Sequence, residues 1–200
     1  RQPSIWLLCI ILSALYHVFW ATIEFPSFAE TGGFEITLAA ATALGAAKLW
    51  MRFPGGILAG IVGDRVGNPL LMVWLFLLSM LACLYLALMP ATPSWAWTLW
   101  VFIFPFALLA YGLRGVFWAL LYNCPVPTRV LGTAIGVVSI VGYSPDAYVP
   151  QVAAWLHTHY DTKTAYQGFF AYVAAVAGIG MLASWLLYRL TRQQGVPEST

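Results

Sequence analysis

Long apolar blocks, each closed by a short cluster of turn-forming residues, organise this 200-residue chain. A bilayer crossing needs about 20 apolar residues, so the blocks predict six transmembrane helices, over residues 5–28, 34–62, 70–89, 95–123, 130–156 and 166–190. Between them lie Thr31-Gly32-Gly33, Asn68-Pro69, Pro125-Val126-Pro127 and residues 90–94 and 157–164. Gly and Pro end helices and favour reversals, so each separator reads as a turn and not as a linker between domains. The expectation is a single all-α membrane bundle of six helices over residues 1–200.

Composition agrees. Hydrophobic residues make up 62% of the chain and charged ones only 8%, against about a quarter charged in soluble domains. Ten Trp and ten Tyr suit the two membrane interfaces, where amphipathic rings collect. The nine basic residues are scattered and form no stripe, so no nucleic-acid partner is expected. Cys9, Cys83 and Cys124 lack C-x-x-C spacing, and neither a disulfide nor a metal site is expected. No cofactor is expected either. The chain opens Arg1-Gln2-Pro3-Ser4, without Met or a small-residue cleavage site, which reads as no signal peptide and as a segment lying upstream.

Charge also orients the bundle. Arg1, Lys48, Arg52, Arg65, Arg114, Arg129, Arg189 and Arg192 fall toward one side, and Lys163 toward the other. The positive-inside bias therefore puts both termini in the cytoplasm, with Glu24, Glu30, Glu35 and Asp161 toward the outer face. A bacterial cytoplasmic membrane is the expected location.

One polar stretch between the second and third blocks stands out: Gly60-Ile61-Val62-Gly63-Asp64-Arg65-Val66-Gly67-Asn68. Gly60 and Gly63 would let two helices approach, Asp64 would cap the next helix or pair across the loop, and Gly67 would allow a tight reversal. The stretch resembles the G-x-x-x-D-(R/K)-x-G-(R/K) signature of the major facilitator superfamily of secondary transporters, with Asn68 where that family carries a basic residue. Further on, residues 114–119, 125–129, 132–136 and Gly142-Tyr143-Ser144-Pro145-Asp146 are similar to the tenth and eleventh helices of bacterial members. The resemblance implies the C-terminal six-helix half of such a transporter. Its partner would be a missing N-terminal six-helix half or a second copy, rocking around a cavity near the midplane. In that scheme Gly60, Asp64, Arg65 and Gly67 form a cytoplasmic latch. By eye the sequence holds no three-plus-three internal repeat.

Ionisable groups inside the hydrocarbon are costly and so are functional candidates. Arg114 lies about 13 Å from the predicted helix end at Asn123, although a register over residues 97–117 would bring it within a turn of the interface. Tyr111 and Trp118 share its face and would shield the cation. Lys48 and Arg52 sit one turn apart in the second block. Tyr16, Trp20 and Glu24 follow one another at i+4 in the first, and His17 falls near its middle, read as a packed, hydrogen-bonded imidazole. Asp146, between Pro145 and Pro150, is a candidate gate or coupling residue. Pairs at four-residue spacing, Gly56 with Gly60 and Gly132 with Gly136, suggest close helix approaches.

These residues point to secondary transport of a small solute, one of anionic character, with Arg114, Lys48, Arg52, Tyr111, Trp118, Tyr16 and His17 lining its site. The alternative is a half-size six-helix protein, acting as a dimeric transporter or as a scaffold that transports nothing. An intramembrane hydrolase would need a base within reach of Ser144. His157 lies about three turns beyond it, His159 falls in a turn, and Pro145 offers no N–H to an oxyanion. No enzyme is expected.

Overall fold

The structure is a computed structural model describing residues 3–122, 124 and 128–193. Arg1, Asn123 and the Pro125-Val126-Pro127 turn lie outside these. Among the described residues every regular element is helical: α1 (Pro3–Thr31), α2 (Leu38–Trp50), α3 (Arg52–Val66), α4 (Asn68–Leu88), α5 (Ala96–Tyr122), α6 (Leu131–Tyr143), α7 (Pro145–His159) and α8 (Thr162–Gln193). Among the described residues, four segments are long and apolar enough to cross a membrane on their own: Pro3–Thr31, Asn68–Leu88, Pro93–Leu121 and Thr162–Arg192.

The second and fifth predicted spans are not continuous helices. Each is divided in two, and the cause is proline chemistry. Pro54 lacks the N–H that would bond the Trp50 carbonyl, and its ring would strike that carbonyl, so α2 stops at Trp50. The joint residue Met51 keeps φ −73° and ψ −7°. Pro145 likewise stops α6 at Tyr143, with Ser144 between at φ −55° and ψ −28°. At this joint the Ser144 hydroxyl donates to the Val141 carbonyl at 2.7 Å, the group that Pro145 leaves without its helical donor. Neither α2 with α3 nor α6 with α7 packs side by side, and the helical dihedrals at both joints bend the chain and do not reverse it.

α1 is the hub. It touches α2, α4, α5, α6, α7 and α8, while α8 lies along α4 and α3 along α5. Oil gives no hydrophobic drive between helices in a bilayer, so close packing must hold them together. A Cβ on Gly180 of α8 would come within 2.7 Å of Ala14 and 2.6 Å of Phe76, and one on Gly142 of α6 would overlap Leu12. A Cβ on Gly55 would approach Tyr111 Cβ to 3.0 Å, one on Gly112 would meet Ala59 Cβ at 3.3 Å, and one on Gly115 would reach Gly56 Cα at 3.0 Å. The α3–α5 crossing is built from these residues. Of the expected small-residue pairs, Gly56 enters this crossing through its backbone against Gly115, while a Cβ on Gly60, Gly132 or Gly136 meets nothing within 4 Å.

Caps fix the ends. Asp161 accepts from the Thr164 backbone N–H at 3.1 Å, and these Thr164 contacts hold its carboxyl below the usual Asp range. The turn expected over 157–164 thereby shrinks to Tyr160 and Asp161. Exposed Trp6, Trp97, Trp118 and Trp155 lie within about a turn of helix ends, as residues of the two membrane interfaces do.

Candidate functional site

One group of polar side chains gathers on the middle of α1. Its 29 residues run from 3 to 31, so His17 is the central one. His17 is buried at 2% exposure. Its Nδ1 donates to the Ser13 carbonyl at 2.7 Å; a carbonyl only accepts, so Nδ1 carries the hydrogen and Nε2 of the neutral ring is the acceptor. Tyr172 of α8 donates to Nε2 at 2.8 Å, and the Tyr148 hydroxyl of α7 lies 3.3 Å away. This imidazole ties three helices together at mid-height.

Arg114 reaches the same level from α5. Its guanidinium carbon sits 4.5 Å from the Phe19 ring centroid and 5.4 Å from that of Tyr16, contacts worth roughly 0.5–2 kcal/mol each. Tyr111 stands behind Phe19 at 6.3 Å, and Tyr143 of α6 lies edge-on to Tyr16 at 4.8 Å. Shielding of the cation therefore comes from α1, not from its own helix as expected: Trp118 packs its ring on Phe117 instead. Asp146, on the first turn of α7, accepts a hydrogen bond from the Trp20 indole N–H at 2.8 Å. Arg114, Tyr143 and Asp146 all act electrostatically on the Tyr16 hydroxyl. Among the described residues Arg114 makes no ion pair with a carboxylate.

Other expected site residues lie apart. Lys48 is buried and donates to the Thr22 carbonyl, which Pro26 leaves without its helical donor. A Cβ on Gly45 would sit 3.2 Å from Pro26, so α2 packs directly on this proline. Glu24 is within electrostatic reach of both Lys48 and His157, and His157 stacks edge-on against Tyr166 at 4.5 Å. Arg52 is exposed at the start of α3.

The glycine-rich motif is not a loop, because α3 continues through Val66. Reversal occurs at Gly67 alone, whose φ of 87° suits a residue without a side chain. Asp64 does not cap α4: its N-cap is Gly67, with no side-chain bond. Gly63 is the crowded glycine, since a Cβ there would overlap the Asn68 amide oxygen. Asp64 and Arg65 are both exposed.

Sequence reasoning omitted Phe19, Trp20, Tyr143, Tyr148 and Tyr172 from the site. The i+4 stripe Tyr16, Trp20, Glu24 was a signal for Trp20. Nothing local marks Tyr148 or Tyr172, which meet His17 only across 131 and 155 residues of chain.

No protein-family model matches the chain. It is similar to the inner membrane protein YqcE of Escherichia coli (strain K12), at 29% identity over 83 residues, which are 41% of this chain and 19% of that protein. The matched segment thus spans about a fifth of the length of that curated relative. Together with the apolar helices, the likeness makes this an integral membrane protein.

Proposed function

We propose that the protein carries a small solute across the bacterial cytoplasmic membrane by alternating access, and that the solute presents an anionic group to Arg114. The observation that carries this reading is the guanidinium at the mid-height of α1, held by the Tyr16 and Phe19 rings and paired with no carboxylate among the described residues. A cation left so would be expensive in hydrocarbon; facing a watery cavity and a solute anion, it gains a partner. Location at the inner membrane is supported by the relative's description.

In this reading α2–α3 and α6–α7 each make one crossing, giving six with both termini in the cytoplasm. Alone, α2 with 13 residues would rise only about 20 Å, short of the roughly 30 Å hydrocarbon core. The order whole, divided, whole then occurs twice along the chain, as α1, α2–α3, α4 and again as α5, α6–α7, α8. Such duplication accords with the nested three-helix repeats of the major facilitators, and the bundle would work against a second six-helix bundle or a second copy of itself. Lys48, busy at Thr22, is assigned to holding α2 on α1. Ser144, busy at Val141, is assigned to the α6–α7 joint and to no covalent chemistry.

The test is uptake of a panel of radiolabelled organic anions by cells or vesicles containing the protein. Replacement Arg114→Gln is expected to reduce kcat/KM for a carried anion by about 100-fold, the loss of one charged hydrogen-bonded contact. Unchanged kinetics for every anion carried would remove Arg114 from the site.

A further inference from the structure

Asp146 gives the site a second pole. Resting on the transport reading above, we propose that the solute is a zwitterion, its anionic group on Arg114 and its cationic group on Asp146, with an apolar or aromatic body against the rings between them. Both charges address one face of α1: Arg114 covers Tyr16 and Phe19, and Asp146 meets Trp20, one helical turn from Tyr16. Phe19 and Trp20 are adjacent in α1, so the two charges are anchored on the same turn of that helix.

Opposite charges anchored on one turn of a helix gain by pairing wherever they can meet, since pairing lowers the cost of holding them away from bulk water. Here each is held separately. Asp146 Oδ1 is fixed by the indole N–H at 2.8 Å, Arg114 is fixed on its rings, and Tyr143 lies edge-on to Tyr16 at 4.8 Å in the same group. An exposed carboxylate retains further lone pairs for an ammonium group. The guanidinium retains a planar fork of donors that matches a carboxylate. A site with two fixed, opposite poles and aromatic walls favours a ligand carrying both charges over one carrying either alone. A ligand with only one charge leaves the other pole without its partner.

Thermal unfolding of the purified protein in detergent tests this with ligands that differ only in charge. One trio is phenylalanine, 2-phenylethylamine and 3-phenylpropanoate; another is leucine, 3-methylbutylamine and 4-methylpentanoate. A zwitterion of at least one trio is expected to stabilise the protein more than its amine or its acid. Asp146→Asn keeps an oxygen to accept from Trp20, and is expected to weaken the zwitterion about 10- to 100-fold while the acid, relieved of a like charge, binds no more weakly than before. Arg114→Gln is expected to weaken both. Equal unliganded unfolding temperatures of variant and parent establish that the fold is kept. If the acids bind as well as the zwitterions and Asp146→Asn changes nothing, the second pole is overturned and the anion-transport reading survives. If no zwitterion stabilises the protein, the proposal is likewise overturned. Loss of the transport reading itself would require, separately, unaltered anion uptake in Arg114→Gln.

Discussion

Pro26 and Pro145 each remove the N–H that would bond the carbonyl four residues back, and in both places a side chain takes over as donor. Ser144 does so within its own turn, whereas at Thr22 the donor is Lys48, delivered from another helix. Lys48→Met keeps a stem of similar length and leaves the buried Thr22 carbonyl unbonded. It should therefore destabilise the protein by about 1–3 kcal/mol, read as a lower unfolding temperature in detergent, and leave Arg114-dependent uptake in place. Equal stability of the variant would show that the carbonyl does not need the ammonium. Sequence alone marked Lys48 and Arg114 as equals, two cations within apolar blocks. What separates them is long-range: Lys48 meets a freed carbonyl, while Arg114 meets two rings. Spacing names the carbonyl that a proline orphans, four residues back, but not which neighbouring helix will bring it a donor.

At the level of helices, four of the six apolar blocks correspond to continuous helices, with ends displaced by only a few residues from those expected. That much was legible because period and length suffice for long apolar helices. The division of the other two was signalled by Pro54 and Pro145, both visible in the sequence, but apolarity ran unbroken across them and masked the joints. Glycine spacing misled in a different way. Gly56 with Gly60 and Gly132 with Gly136 have the expected interval, yet only Gly56 of the four joins a crossing, through its backbone against Gly115, and the positions without room for a Cβ there are Gly55, Gly112 and Gly115, since packing depends on which face meets a neighbour. Gly55→Val and Gly112→Val should each cost about 1–3 kcal/mol through overpacking of α3 against α5. In Gly60→Ala and Gly136→Ala, where the new Cβ meets open space, stability should hold or rise by up to about 1 kcal/mol from helix propensity. Thermal unfolding of the four variants side by side checks this, and the reverse ranking would refute the crossing described.

Taken whole, the bundle places one imidazole, one guanidinium and one carboxylate around the waist of its central helix, with tyrosine and tryptophan side chains from α1, α6, α7 and α8 completing the group. Membrane class and helical fold were readable from composition and block length. The solute site was readable only in part: Arg114, Tyr16, His17, Tyr111 and Asp146 were singled out as separate candidates, but their convergence on residues 16–20 of α1 depends on tertiary packing. The site works as proposed only if both divided segments cross the membrane, because that sets which faces open to which side. Single cysteines at Glu35, Asp64 and Asp161, in a background lacking Cys9, Cys83 and Cys124, measure this directly with a membrane-impermeant maleimide applied to intact cells. The account predicts labelling of Glu35→Cys and Asp161→Cys from outside and protection of Asp64→Cys until the membrane is opened. Labelling of Asp64→Cys from the same side as Glu35→Cys would mean that α2–α3 does not cross, and would contradict it.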